Sequence, residues 1–239
     1  RPTGQVARFV IENLEIDHNL LATATREFSD RFTARLSVGQ NLNSRRNRQV
    51  FSQGNDLNAP SPLVLQNTLN PLQPSENRSL RHIEGYFAQA ETDLWNQLFL
   101  TARLRNDGYS TFGPGNRRAW YPAATASWIF TNFLGNTDQS GLFSLGKLRA
   151  AYGEVGREPP VYATVNTFST GPLFFGSGFG DFINASQGGA GGLVSNFVRG
   201  NPDLRPERNR EAEVGLDLGF FDSRLNAEFT YYDKKSTDV

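Results

Sequence analysis

The sequence contains no cysteine and no methionine, and only two histidines, His18 and His82. Without cysteine, disulfides and thiolate metal ligands are excluded. Two histidines far apart in the chain do not favour a transition-metal site. The 239 residues carry 24 basic and 24 acidic side chains, so the formal net charge is zero. Because nucleic-acid-binding domains usually have a basic excess, no nucleic-acid partner is expected.

Long apolar runs are also missing. No segment reaches the roughly 18 apolar residues of a transmembrane helix, and only 38% of the residues are hydrophobic. Aromatic residues make up 12%, with 19 phenylalanines. Few aliphatic and many aromatic residues are unusual for the close-packed core of a soluble domain. A membrane β-barrel remains compatible, because its alternating strands escape hydropathy scans.

Residues 31–43 show the pattern that recurs along the chain. Phe32, Ala34, Leu36 and Val38 alternate with polar residues. This period of two predicts a β-strand with one apolar face and one polar face. The apolar face is suited either to a protein core or to the hydrocarbon of a membrane.

The same alternation predicts about eight long antiparallel strands in four pairs. The predicted strands are 12–27 and 31–43, 82–92 and 97–108, 118–130 and 144–157, and 207–220 and 224–236. Short turns join the two strands of the first, second and fourth pairs. A longer connection joins the strands of the third pair. Polar loops are predicted at 44–81 and 158–206. Alternation of short turns with long loops is typical of outer-membrane barrels.

Strand length and charge favour the membrane interpretation. The predicted strands have about 11 to 16 residues, more than the usual 5 to 6 of globular proteins. One face of the strand 97–108 carries Arg103, Arg105 and Asp107, which require a hydrated environment. Trp95 and Trp128 lie near strand ends, as in a membrane-interface girdle. A soluble β-sandwich also alternates, so a soluble all-β carbohydrate- or protein-binding module stays open as the alternative.

Three segments resemble a known family. Residues 201–238, "NPDLRPERNREAEVGLDLGFFDSRLNAEFTYYDKKSTD", are similar to a barrel stretch of TonB-dependent outer-membrane receptors of the SusC/RagA type. Residues 86–132, with "RNDGYSTFG" followed by "PAATASW", and residues 145–158, "LGKLRAAYGEVGRE", resemble further stretches of that barrel. The three segments cover roughly half the chain, in the order and spacing of the family.

The resemblance implies an all-β, antiparallel up-and-down transmembrane barrel of about 22 strands, closed by an N-terminal plug. Residues 1–239 would be a partial barrel domain without the plug and without the last strands. The location implied is the outer membrane of a Gram-negative cell. The implied role is import of an oligosaccharide, a peptide or a siderophore with energy from TonB. The implied partners are outer-membrane lipid, the nutrient ligand, TonB through the missing N-terminal region, and a lipoprotein lid.

The loop 158–206 is the predicted ligand-binding region, because aromatic side chains in a long loop stack on sugars or grip peptides. The candidate residues are Phe168, Phe174, Phe175, Phe179 and Phe182. The alternative is that they pack against each other or against a lid.

No enzyme, cofactor or metal site is predicted. A Ser-His-acid arrangement around Asp17 and His18 is far less favoured than a plain polar strand position. The segment "GNDLN" at 54–58 lacks the bidentate glutamate of a calcium loop.

Overall fold

The computed structural model describes residues 4–72, 74–133, 143–169, 173–174, 182–183, 186–187, 190–191 and 193–238. The chain divides into two compact units. The first consists of residues 1–18 and 42–83, and the second of residues 19–41 and 84–239. The strands β1, β2 and β4 contribute residues to both units.

Strands make up nearly all of the regular structure. In chain order they are β1 Gln5–Ser29, β2 Phe32–Leu57, β3 Thr68–Pro71, β4 Ser75–Leu94, β5 Leu98–Tyr109, β6 Arg118–Ile129, β7 Phe143–Arg157, β8 Phe168–Ser169, β9 Leu173–Phe174, β10 Phe182–Ile183, β11 Ser186–Gln187, β12 Ala190–Gly191, β13 Val194–Ser195, β14 Glu207–Phe220 and β15 Leu225–Thr237. A 3₁₀ turn spans Leu65–Asn67 and one helical turn, α1, spans Phe130–Phe133. Within the described ranges, no helix has the length and hydropathy needed to span a membrane.

The eight long strands form one antiparallel up-and-down sheet. Its order is β1-β2-β4-β5-β6-β7-β14-β15, and β3 pairs with β2. Strands that follow each other in the chain are therefore neighbours in the sheet, as hairpin connections require. β1 and β15 end this order, so the sheet is not closed on itself. The predicted fold class, antiparallel β-barrel strands, is confirmed.

The predicted boundaries are accurate for β5, β6, β7, β14 and β15. The predicted loop 44–81 is wrong at both ends, because β2 continues to Leu57 and β4 begins at Ser75. Most residues of these extensions are polar on both faces, so hydrophobic alternation is too weak to reveal them. Polar side chains connect the extension of β2 to β1. Asn47 Nδ2 donates to Asn13 Oδ1 at 2.5 Å, and Arg45 Nε donates to Glu15 Oε1 at 2.7 Å.

In the second unit the strand registers separate an apolar face from a polar face. Residues opposite each other in β5, β6, β7, β14 and β15 share a character across the sheet. The apolar face consists of Leu98, Leu100, Ala102, Leu104, Ala124, Ala126, Trp128, Leu148, Ala150, Tyr152, Ala212, Val214, Leu216, Leu218, Leu225, Ala227, Phe229 and Tyr231. Several of these are largely exposed, among them Val214 at 52% and Phe229 at 64%. No second layer covers this face within the described residues.

The buried side chains lie where β5 and β6 meet the loop 110–117. Phe112 is only 2% exposed, and Tyr121 and Tyr109 are 4% and 7% exposed. The rings of Tyr109 and Phe112 pack edge to face with centroids 5.6 Å apart. Burial of such a ring contributes roughly 1.5–3 kcal/mol.

This small core anchors the long loop that follows β7. Thr111 Oγ1 donates to Glu158 Oε2 at 2.9 Å, and Thr164 Oγ1 donates to the Thr111 carbonyl at 3.3 Å. Asn116 Nδ2 donates to the Asp203 carbonyl at 3.1 Å. Both ends of the loop 158–206 are thus attached to the loop 110–117.

Candidate functional site

The polar face of the sheet in the second unit carries charged and polar side chains on several neighbouring strands. Its residues alternate with those of the apolar face along the same strands. They are Thr101, Arg103, Arg105, Asp107, Thr125, Ser127, Lys147, Arg149, Glu211, Glu213, Asp217, Glu228 and Thr230. Hydrogen bonds and ion pairs join polar side chains of the sheet into two clusters, one on β7, β14 and β15 and one on β1, β2, β4 and β5.

Arg149 is the centre of the first cluster. Its Nε donates to Asp217 Oδ1 at 3.1 Å, its Nη1 to Glu213 Oε1 at 3.4 Å, and its Nη2 to Glu228 Oε1 at 2.7 Å. Nη2 also donates to Thr230 Oγ1 at 3.1 Å. One guanidinium therefore joins side chains of two further strands, β14 and β15.

Two neighbouring residues complete this cluster. Gly215 lies directly opposite Arg149 in the β7–β14 register, and a Cβ there would be 2.9 Å from the guanidinium carbon. The glycine thus provides the space that Arg149 occupies. Lys147 Nζ lies 3.5 Å from Asp217 Oδ2. Two cations and three carboxylates leave the cluster acidic by one charge.

The second cluster runs across four strands. Arg35 Nε donates to Thr25 Oγ1 at 3.3 Å, and Arg35 Nη1 donates to Glu91 Oε2 at 3.4 Å. Gln89 Nε2 donates to Glu91 Oε1 at 2.7 Å. The amide oxygen of Gln89 then accepts from Nε and Nη2 of Arg103, the first bond being 2.6 Å. The Glu91 carboxylate thus accepts hydrogen bonds from Arg35 and Gln89. Arg103 donates to the neutral amide of Gln89.

The first unit carries a polar ladder between β1 and β2. Asn43 Nδ2 donates to Glu15 Oε1 at 2.8 Å and to Asp17 Oδ1 at 3.3 Å. Hydrogen bonds from Asn43 and Arg45 lower the pKa of the Glu15 carboxyl below its ordinary value.

Arg48 bridges β1 and β4 in the same unit. Its Nε donates to Glu76 Oε1 at 2.5 Å and its Nη1 to Glu12 Oε2 at 3.3 Å. Arg78 Nε donates to the same Glu76 oxygen at 2.7 Å. These hydrogen bonds, first from Arg48 and then from Arg78, lower the pKa of Glu76 to about 2.

The structure describes three of the five phenylalanines that were predicted to contact the ligand. Phe168 is 58% exposed, in the strand β8 that pairs with β13. Phe174 of β9 and Phe182 of β10 are cross-strand partners. Phe175 and Phe179 lie outside the described residues. Their ligand role stays a prediction.

The enzyme alternative does not gain geometric support. Asp17 and His18 are consecutive residues of β1, so their side chains point to opposite faces of the strand. In the part of the chain that the structure describes, no three His, Cys, Asp or Glu side chains are grouped to hold a metal ion.

The charge clusters were not predicted from the sequence. Alternation did place Arg103 and Arg149 on a polar face. It gives no register, however, so it could not show that Gly215 lies opposite Arg149 or that Gln89 meets Arg103. The signal available was an arginine between two apolar residues of an alternating strand, which is weak by itself.

A long-stranded antiparallel sheet with one exposed apolar face and one charged face is what a membrane β-barrel presents to lipid and to its interior. The chain belongs to the TonB-dependent receptor family, because the family model described as "TonB dependent receptor-like, beta-barrel" matches residues 7–239. Such receptors are β-barrels of the Gram-negative outer membrane. The chain is therefore an outer-membrane barrel segment.

Named relatives agree with this assignment. TonB-dependent receptor P3 of Formosa agariphila is 28% identical over 172 residues, covering 70% of this chain and 16% of that protein. TonB-dependent receptor SusC of Bacteroides thetaiotaomicron is 27% identical over 165 residues, covering 65% of this chain and 15% of that protein. The chain thus spans about one sixth of the length of these curated relatives.

The fold is also similar to a solved structure, that of the RagAB peptide transporter. The TM-score is 0.84 at 19% identity, with 100% of this chain and 25% of that chain covered. At this identity the likeness establishes the fold alone.

Proposed function

We propose that the chain forms part of the barrel of an outer-membrane receptor that imports a nutrient ligand with energy supplied by TonB. The ligand classes are an oligosaccharide, a peptide or a siderophore. The chain supplies barrel wall and one long ligand-contacting loop, and it has no catalytic role. The plug, the TonB-contacting segment and the remaining strands belong to parts of the receptor beyond residues 1–239.

The observation that carries this proposal is the division of the sheet into two faces. On β6 the apolar face is bounded by two tryptophans, Trp120 and Trp128, which are 56% and 40% exposed. Trp128 follows Trp120 by eight positions, or about 26 Å along a strand. A tilt of roughly 40° reduces this to about 20 Å along the membrane normal, comparable to the apolar band of a barrel between its aromatic girdles.

The opposite face supports a filled, hydrated interior. Arg103 and Arg149 project from it, and their bonding partners are polar or charged. Charged side chains on several neighbouring strands are stable there only if water or polar protein covers them. Large outer-membrane barrels meet this condition with a plugged lumen.

The loop 158–206 is the proposed ligand-contact element. Its two ends are anchored on the loop 110–117 through Glu158 and Asp203. Anchored ends allow exposed aromatics such as Phe168 to be held at the barrel mouth, where a ligand or a lipoprotein lid would contact them. A lipoprotein lid that contacts this loop is the second proposed partner.

The first test uses the full parent gene rather than the segment. We expect the protein in the outer-membrane fraction, with a gel mobility that changes on heating, because closed barrels resist detergent unfolding. Cells that depend on the receptor for growth on a peptide or oligosaccharide source should stop growing when TonB is deleted. Recovery in the soluble fraction, or growth independent of TonB, would contradict the proposal.

A second test concerns the loop. Phe168→Ala should weaken binding of the growth-supporting nutrient, because an exposed aromatic stack is removed. Phe112→Leu alters the anchoring core instead and serves as a comparison for indirect effects. Equal binding by wild-type receptor and Phe168→Ala would remove Phe168 from the proposed site.

A further inference from the structure

The three segments that resemble the receptor family meet at one place, the end of the sheet where β5 turns into β6. The first segment contains the loop 110–117 between these strands. The second segment ends at Glu158, whose Oε2 accepts a hydrogen bond from Thr111 Oγ1 at 2.9 Å. The third begins at residue 201, and its Asp203 carbonyl accepts from Asn116 Nδ2 at 3.1 Å. Segments far apart in the sequence are thus joined through a single short loop.

The loop 110–117 is itself firmly held. Phe112 and Thr111 are only 2% and 5% exposed. The backbone N–H of Asn116 donates to the Gly113 carbonyl at 3.0 Å, which closes a tight turn. A loop with buried side chains and paired backbone groups opens rarely, so it provides a fixed support for the segments that contact it.

Gly113 is the point where this support meets the far end of the loop 158–206. A Cβ at Gly113 would overlap the carbonyl oxygen of Pro202, which is a backbone atom. Only glycine allows two backbones to approach so closely. Gly115, two residues further on, has nothing within 4 Å of its Cβ position. The contact with Pro202 therefore explains the glycine at 113, and no such contact exists at 115.

The two sides of the loop 158–206 are also joined to each other. The Asn201 N–H donates to the Ala163 carbonyl at 3.0 Å, and the Asn196 N–H donates to the Thr167 carbonyl at 3.0 Å. Next to these bonds, β8 pairs with β13. The described parts of the loop thus form a two-stranded stem that carries Phe168. Because the stem begins at the support, its position depends on the contacts made there.

We propose that Thr111, Gly113 and Asn116 form a clasp that positions the loop 158–206 for capture of the nutrient. This inference rests on the proposed function, in which that loop contacts the ligand. The three residues act through the loop that they hold, without touching the nutrient. Because a loop that is ordered before binding loses less entropy on binding, the clasp increases affinity. It does not affect passage through the barrel after capture.

The first test measures hydrogen exchange of residues 158–169 and 193–206 in the full-length parent receptor without nutrient. Gly113→Ala should raise exchange in both segments about tenfold, because the added methyl group displaces the Pro202 carbonyl from the support. Gly115→Ala is the matched control, since it makes the same substitution in the same loop. Its exchange should equal that of the wild type.

The other end of the loop is tested independently at Thr111. Thr111→Val removes the hydroxyl that donates to Glu158, and it should raise exchange of residues 158–169 about tenfold, as expected for a lost hydrogen bond to a charged group. Thr111→Ser keeps the hydroxyl and should restore most of the protection. Asn116→Asp removes the donor to the Asp203 carbonyl and should raise exchange of residues 193–206.

Uptake separates positioning from a purely structural role. Cells are grown on a peptide mixture or an oligosaccharide mixture as the source that requires the receptor. Gly113→Ala and Thr111→Val should raise the half-saturating concentration of this source about tenfold, while the maximal growth rate stays the same. Thr111→Ser and Gly115→Ala should behave like the wild type. The heat-modifiable mobility of all four variants should match that of the wild-type receptor.

Exchange equal to wild type in both Gly113→Ala and Thr111→Val would overturn the clasp. Raised exchange with an unchanged half-saturating concentration would overturn its role in capture. Loss of heat-modifiable mobility together with uptake would also overturn that role, because it would assign these residues to barrel stability. If the wild-type receptor supports growth on neither source, the proposed function fails, and the exchange measurements still decide whether the clasp holds the loop.

Discussion

At the residue scale, function and stability depend on how single charges are balanced on the polar face. Arg149 joins Glu213, Asp217 and Glu228, and its side chain is only 28% exposed. Removing this cation leaves three carboxylates close together, with Lys147 as the one remaining cation of the cluster.

Arg149→Met should therefore lower the free energy of unfolding of the parent barrel by about 2 kcal/mol, the range for loss of hydrogen bonds to charged groups. Arg149→Lys should lose less, because the positive charge stays. Urea titration of the purified receptor, followed by gel mobility without heating, measures both. Equal stability of Arg149→Met and wild type would show that solvent screens this cluster.

Close packing gives a second residue-scale prediction. A Cβ at Gly156 would lie 1.7 Å from the hydroxyl oxygen of Tyr121, a ring that is 4% exposed. Gly156→Ala should destabilise the barrel by about 1–3 kcal/mol through overpacking. Gly115→Ala is the control, because nothing lies within 4 Å of a Cβ there. The unfolding midpoints should differ clearly, and matching midpoints would mean that the Tyr121 ring moves aside at no cost.

At the element scale, adjacent residues of one strand are predicted to face lipid and water in turn. Ala124 and Thr125 are consecutive in β6 and lie on the apolar and polar faces respectively. Ala124→Arg should destabilise the barrel by roughly 2–4 kcal/mol, since Ala124 lies halfway between Trp120 and Trp128 and the charge enters hydrocarbon near mid-membrane. Thr125→Arg should cost much less. Unfolding in lipid vesicles compares the two, and a reversed order would mean that the faces have been assigned the wrong way round.

The extended parts of β2 and β4 allow a prediction on pH. Counted from their turns, the first 9–11 residues of each strand suffice to cross a membrane, so Arg48 and Glu76 lie beyond the crossing. The pKa of Glu76 falls from an ordinary value near 4.5 to about 2. Because the folded-state pKa is the lower one, the pair stabilises the fold above about pH 4.5. That contribution disappears as the pH falls through about 2.

Hydrogen exchange of residues 42–57, corrected for its intrinsic pH dependence, should thus stay slow at pH 4 and accelerate toward pH 2. In Glu76→Gln this acceleration should be reduced, because the titrating group is absent. Identical pH profiles in the two proteins would exclude a role of Glu76 in holding the extension.

At the scale of the whole molecule, the sheet is incomplete. β1 and β15 end the strand order, so each presents backbone donors and acceptors that a closed barrel would pair. Residues 1–239 expressed alone should aggregate and show no heat-modifiable form, whereas the full parent protein should show one. Size-exclusion chromatography in detergent, with gel mobility, distinguishes the outcomes. A monodisperse, heat-modifiable segment would mean that eight strands close by themselves.

The sequence by itself determined the number of long strands, the pairing order and the two faces, and its resemblance to known receptors indicated the family. The first three follow from local rules: period-two alternation marks β5, β6, β7, β14 and β15, and short turns make chain neighbours pair. Alternation failed for 44–57 and 75–81, since a strand with water on both faces carries no hydrophobic signal.

Only the tertiary structure decided which charges meet. The register sets Gly215 opposite Arg149 and leaves Arg103 on an amide rather than a carboxylate. Register is a long-range property, because a slip of one residue would exchange the faces and a slip of two would exchange every partner. Composition and periodicity stay the same when the register slips by two residues. The pairing of charges on the polar face can therefore be determined only from the folded sheet.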